Sequence, residues 1–264
     1  MNEKEFTDLQ VILVEPSHTQ QIIIKQYFTD LGITDIHSIE SGKKALMCLQ
    51  KGTADLIVSS MYLPDMTGSE LLHTIRKGTD CADIAFILIS SETNINYLDP
   101  IRQAGAIAIL PKPFSVKELD VAFSSTLDYL NPQQIELEHL DIEDISVLIV
   151  DDSPLSLKYI SKILNNIGID QITCASGGKQ ALDIIESQYY DLIITDYNMP
   201  EMDGVELTTA IRSKSNQKTI PIVMVTSERN ENRLCAVERA GFSAILDKPF
   251  EQKTIRDLII HLLN

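Results

Sequence analysis

DLIITDYNMPEMDG at residues 191–204 and DLIVSSMYLPDMTG at residues 55–68 are two versions of one segment, 136 residues apart. Outward from this pair the same offset holds without a gap. SVLIVDDS at 146–153 overlies QVILVEPS at 10–17, IPIVMVTSE at 220–228 overlies IAFILISSE at 84–92, and AGFSAILDKPF at 240–250 overlies AGAIAILPKPF at 104–114. A fixed period sustained from the first apolar run to near the end means that one fold occurs twice.

Each copy alternates short β-branched apolar runs with longer segments of helical period, the pattern of parallel strands joined by crossover helices. In the second copy the spacing predicts strands at Val147–Val150, Ile172–Cys174, Leu192–Thr195, Ile222–Val225 and Ala244–Leu246. The first helix has a start and a stop: Ser153 can cap it, and Pro154 suits its first turn. Leu157, Ile160, Leu164 and Ile167 then recur at helical spacing, and Gly168 can end it. Five such units imply an α/β class of two flavodoxin-like doubly wound domains. Each is expected as a five-stranded parallel sheet of order 2-1-3-4-5 with helices on both faces and ligands at the carboxyl ends of the strands. The expected boundaries are 1–130 and 146–264, with an acidic linker at 131–145. Ile135, Leu137, Leu140, Ile142 and Ile145 make that linker too apolar for a free tether, so it is expected to be partly packed, as a short helix or an extended strap.

A length of 264 residues with 44% hydrophobic content suffices for two ordinary cores. The net charge of -16 opposes direct binding to a nucleic-acid backbone. Cys48, Cys81, Cys174 and Cys235 form no CxxC pair, which disfavours a disulfide or zinc framework and suits a reducing cytoplasm. No stretch has the length and apolarity of a membrane span, and the N-terminus does not read as a signal peptide. His18, His37, His73, His139 and His261 show neither metal-ligand spacing nor a nucleophile pairing, so a conventional hydrolase is disfavoured.

In the second copy the polar residues that interrupt the apolar runs fall at the expected strand ends: Asp151 and Asp152, Asp196, Thr226 and Lys248. The fold would bring them together. Three carboxylates about 4 Å apart repel by roughly 4 kcal/mol per pair at an effective dielectric near 20, so they call for a cation or for proton uptake. A hard divalent ion with oxygen ligands, Mg²⁺, answers that need. An acidic pair could merely cap a helix and an Asp-Gly could merely turn, but all five positions in order argue against so bland a reading. A calcium loop is excluded by Glu201 where the sharp-turn glycine belongs and by Pro200 before it. Tyr197, Met199 and Met202 read as packing residues.

These motifs make residues 146–264 similar to the receiver domain of two-component response regulators. The resemblance implies Asp196 as phospho-acceptor and Mg²⁺ ligand, Asp151 and Asp152 as the acidic pair serving Mg²⁺, and the backbone carbonyl of Asn198 as a further ligand. It also implies Thr226 as the switch hydroxyl, Lys248 as partner of the phosphoryl charge, and a cis peptide between Lys248 and Pro249. One position departs from the pattern: the family's usual Tyr or Phe three residues before the lysine is Ile245, in the relay toward the surface of helix 4, strand 5 and helix 5.

In the first copy the counterparts are Glu15, Pro16, Ser60, Ser90 and Lys112. A serine hydroxyl is neutral and cannot form an acyl phosphate, and Glu15 alone makes no Mg²⁺ cage. This copy is expected to be a degenerate pseudo-receiver in which Glu15 pairs with Lys112, serving as a docking or dimerisation surface or as a brake. Ile22, Ile23, Leu71 and Leu72 are expected in its core. The resemblance implies a phosphorelay response regulator supplied by a histidine kinase or histidine phosphotransfer protein, with a second copy or a downstream protein as further partner. No separate catalytic domain is visible. The competing readings are the N-terminal receiver pair of a longer enzyme, such as a diguanylate cyclase or phosphodiesterase, and a phosphate sink.

Overall fold

The computed structural model describes residues 4–52, 54–78, 81–92, 94–131, 135, 141–226, 240–250 and 252–263. The chain divides into two compact units, residues 1–132 and 133–264. The first carries strands β1 (Gln10–Val14), β2 (Asp35–Ile39), β3 (Leu56–Ser60), β4 (Ala85–Ser90) and β5 (Ala108–Pro111). Between and after them run helices α1 (His18–Asp30), α2 (Gly42–Leu49), α3 (Gly68–Lys77), α4 (Ile95–Gln103) and α5 (Val116–Leu130). The second unit repeats the plan with β6 (Ser146–Val150), β7 (Gln171–Ala175), β8 (Leu192–Asp196), β9 (Ile222–Thr226) and β10 (Ala244–Asp247). Its described helices are α6 (Pro154–Asn166), α7 (Gly178–Ser187), α8 (Gly204–Lys214) and α9 (Gln252–Leu263). The region expected to hold a helix after β9, with Cys235, lies outside the described residues, as do Leu137, Leu140 and His139 of the linker.

Both sheets are wholly parallel, in the orders β2-β1-β3-β4-β5 and β7-β6-β8-β9-β10, so each domain is a flavodoxin-like doubly wound fold. The central strands β3, β4, β8 and β9 are buried along their whole length, as strands covered by helices on both faces must be. In α6, Ser153 accepts a hydrogen bond from the Ser156 amide, Pro154 opens the first turn, and Gly168 takes a positive φ of 103° just past the end. The linker is expected to be partly packed, and its described part is. Ile135 and Ile145 are buried in the second core, the Ile135 amide donates to the Ile167 carbonyl at 3.0 Å, and Ile142–Asp144 is a 3-10 turn.

Leu71 and Leu72 are fully buried as expected, but Ile22 and Ile23 are exposed, at 58% and 43%. Helix α1 buries Gln21, Ile24 and Phe28, spaced at three and four residues, and this stripe leaves positions 22 and 23 on the outer surface. The two classes of apolar residue should separate on mutation. Leu164→Ala, in the second core, is expected to cost about 2–5 kcal/mol, whereas Ile22→Ala should stay within about 0.5 kcal/mol of the parent, both read by denaturant unfolding.

Candidate phosphoryl-acceptor site

The site lies where β6, β8, β9 and β10 end. Each strand delivers its polar residue because its ladder runs to the last apolar position and stops. The Asp151 amide still donates to the Ala175 carbonyl at 3.1 Å, Asp196 is the last residue of β8, Thr226 the last of β9, and the Lys248 amide donates to the Thr226 carbonyl at 2.7 Å. Asp151, Asp196, Thr226 and Lys248 are all buried. The peptide between Lys248 and Pro249 is cis, as is that between Lys112 and Pro113.

The Lys248 ammonium sits between two buried carboxylates. Its Nζ donates to Asp196 Oδ1 at 2.7 Å, to Asp151 Oδ2 at 2.9 Å and to Ser156 Oγ at 3.1 Å. Backbone amides take the remaining oxygens: Asn198 N donates to Asp196 Oδ2 at 2.8 Å, and Ser153 N to Asp151 Oδ1 at 2.9 Å. Burial pushes the Asp196 carboxyl up to about 6, aided by the negative Asp151 and opposed by Lys248. Burial also tends to lower the Lys248 ammonium, but Asp196 and Asp151 outweigh it and hold the group above its ordinary value.

Of the three carboxylates expected here, Asp151 and Asp196 share Lys248, and the third, Asp152, feels the charge of both Asp151 and Lys248. Asp152 is exposed, and no group of three His, Cys, Asp or Glu side chains arranged to hold a metal ion occurs among the described residues. The physical reason is repulsion: Lys248 offsets the charge of Asp151 and Asp196, while Asp152 keeps its contact with water. Partial burial, followed by the charge of Asp151, still raises the Asp152 carboxyl. Asn198 lies two residues beyond Asp196 with its side chain exposed, and Met199 is buried, as a packing residue should be.

The donor set fits a hard divalent cation. Asp151, Asp152 and Asp196 carry three negative charges against the one positive charge of Lys248, leaving a balance of -2, and the groups at hand offer oxygen only. In the first domain the same strand ends form a different network. Lys112 Nζ pairs with Glu15 Oε2 at 3.0 Å, the Ser60 hydroxyl donates to that same oxygen, and the Ser17 amide donates to Glu15 Oε1 at 2.9 Å. Burial would raise the Glu15 carboxyl, but the bonds from Ser60, Ser17 and Lys112 prevail and lower it. Ser90 Oγ accepts from the Glu92 amide at 2.9 Å, and with Pro16 and Ser60 neutral the balance is 0. The expected Glu15–Lys112 pair is present.

Sequence reasoning missed Ser156. It lies on the buried stripe of α6 with Ile160 and Ile163, and a polar residue on an apolar stripe was the legible sign. Gly204 is a second constraint: a Cβ there would stand 2.5 Å from the Asp196 carbonyl oxygen, so only glycine lets α8 begin so close to Asp196.

A family model described as the response regulator receiver domain matches residues 11–124 and again 147–260. Over 115 residues the chain is 31% identical to chemotaxis protein CheY of Pseudomonas aeruginosa, covering 44% of this chain and 93% of that protein. Over 108 residues it is 36% identical to the probable chemotaxis protein CheY of Rhizobium etli, covering 41% of this chain and 84% of the relative. The receiver domain of a sensor histidine kinase from Pseudomonas aeruginosa, solved with a magnesium ion coordinated in its active site cleft, aligns at 28% identity and a TM-score of 0.43. It covers 45% of this chain and 97% of that one.

Two outcomes are expected. Gly204→Ala should destabilise the second domain by about 1–3 kcal/mol, because the contact it creates is with backbone that cannot turn aside. In metal-free protein the raised Asp196 carboxyl means that the folded state holds its proton more tightly than the unfolded chain between about pH 4 and about pH 6. The wild type therefore loses stability as pH rises through that window. Asp196→Asn should be the more stable protein at pH 7, and its advantage should shrink as the pH falls to 4, as read by thermal unfolding in the presence of a chelator.

Proposed function

The chain belongs to the response regulator receiver family, and on that premise we propose that its second domain accepts a phosphoryl group on Asp196 while its first domain does not. The donor is the phosphohistidine of a histidine kinase or histidine phosphotransfer protein, and Mg²⁺ is the cofactor. The observation that carries this reading is the charge difference between twin sites of one chain, -2 around Asp196 against 0 around Ser60.

An ionised carboxylate oxygen of Asp196 attacks phosphorus, an O–P bond forms as the donor's N–P bond breaks, and the electron pair leaves with the imidazole nitrogen. Lys248, already 2.7 Å from Asp196 Oδ1, meets the negative charge of the arriving group. Asp151, Asp152 and Asp196, with the Asn198 carbonyl, would hold Mg²⁺, which when bound supplies the charge that the site lacks. Thr226, at the end of the adjacent strand, serves as the switch hydroxyl. Ile245 is half-buried on β10, and an isoleucine has no ring to swing, so the relay from this site does not use the aromatic rotation usual in the family. The protein signals through changed contacts with a protein partner.

The first domain is a pseudo-receiver. Its acceptor position holds a hydroxyl already engaged by Glu15, and its lysine is already neutralised. Incubation with acetyl phosphate and Mg²⁺, followed by intact mass measurement, tests both halves. One phosphoryl group is expected on the wild type and on Ser60→Ala, and none on Asp196→Asn. Label surviving in Asp196→Asn, or lost in Ser60→Ala, would falsify the assignment.

A further inference from the structure

Ser156 belongs to none of the five positions that define the receiver site, yet it is 2% exposed and touches two of them. Its hydroxyl donates to Asp151 Oδ2 and accepts from Lys248 Nζ at 3.1 Å. An ammonium has three protons, and here all three are used, on Asp196, Asp151 and Ser156. Of the three acceptors only Ser156 is uncharged, and only Ser156 is not claimed by the proposed chemistry. Asp196 is to bond phosphorus and Asp151 is to serve the cation. A neutral acceptor fixed on the first turn of α6 keeps its hold on the ammonium whatever charge the two carboxylates lose.

The chain supplies its own control. The position equivalent to Ser156 in the first domain is Gln20, and there Lys112 pairs, among the described residues, with Glu15 at 3.0 Å. The Lys112 side chain is 27% exposed, against 4% for Lys248. The same strand end and the same Lys-Pro peptide thus give a lysine that reaches toward water in one copy and a lysine sealed inside in the other. The loss of the acceptor aspartate accounts for one of the missing bonds, and the loss of the serine hydroxyl accounts for the other.

We propose that Ser156 is a positioning residue of the second site, whose hydroxyl holds the Lys248 ammonium against Asp196 and so fixes the positive charge that an incoming phosphoryl group meets. The inference rests on the proposed phosphoryl acceptance, but the placement of the lysine can be read without it.

Two measurements on the full chain test it. In metal-free protein, limiting acetic anhydride followed by peptide mass spectrometry compares acylation of Lys248 with that of Lys112 in the same molecules. Ser156→Ala is expected to raise Lys248 labelling about tenfold relative to Lys112, the scale of one lost hydrogen bond to a charged group, and Ser156→Thr should stay within about twofold of wild type. With acetyl phosphate and saturating Mg²⁺, uptake on Asp196 should slow about tenfold in Ser156→Ala and recover in Ser156→Thr. Should the alanine variant fail to fold, Ser156→Cys carries the same expectation, since a thiol accepts weakly. Either readout unchanged in the variant, while the wild type takes up phosphate, overturns the proposal. If the wild type itself takes up none, the proposed function fails, and the labelling ratio alone decides the role of Ser156.

Discussion

Two carboxylates buried at the ends of adjacent parallel strands cannot stand side by side without a positive charge, and Lys248 supplies it. Its contacts of 2.7 Å to Asp196 and 2.9 Å to Asp151 draw the end of β10 to those of β6 and β8. Charges in such a place are costly to desolvate, and a buried pair of this kind is a weak source of stability on its own. The residue types leave the charge under-compensated, because one ammonium faces two buried carboxylates while the exposed Asp152 adds a third negative charge nearby. Burial is what pushes the Asp196 carboxyl up to about 6, since Lys248 works against the rise and Asp151 adds to it.

The first domain shows what the same scaffold becomes when the deficit is removed. Glu15 replaces Asp151 with a longer arm, Ser60 donates a hydrogen bond to that carboxylate, and Lys112 completes a neutral trio. Nothing in the β-sheet order, the strand register or the Lys-Pro peptide differs in kind between the two copies. Chemistry and fold are separable here: the sheet fixes where strand ends meet, and a few side chains at those ends decide whether a reactive site results. Glycine marks the same separation from the other side. Gly68 and Gly204 hold equivalent places, and a Cβ on either would press on the carbonyl of residue 60 or 196. The close approach of the third helix thus survives in the copy where Ser60 stands at the place of Asp196.

The repeat, the strand and helix types, the sheet order and the identities of Asp151, Asp196, Thr226 and Lys248 could all be read from the chain. Each follows from local rules: period along an element, a cap at its start, a polar residue where an apolar run stops. Even the Glu15–Lys112 pair was legible, since a lysine deprived of its aspartate must find the acid that remains. What local pattern could not supply is direction around a helix and distance across strands. Ile22 and Ile23 look like core by composition, but the stripe of Gln21, Ile24 and Phe28 turns them outward.

Tertiary structure alone decided how the charges are shared. Three acids near one another in a list of strand ends read as a trio, whereas in space Lys248 takes the place between two and Asp152 stays in water. Likewise Ser156 is unremarked in sequence as the third residue of a helix, and becomes the third acceptor of an ammonium only once β10 has been laid beside the others. Sequence fixes which groups are available and which strand carries them, because both are properties of neighbours along the chain. Who bonds to whom depends on Coulomb forces and hydrogen bonds among residues 45 to 97 positions apart, and these exist only after the chain has folded.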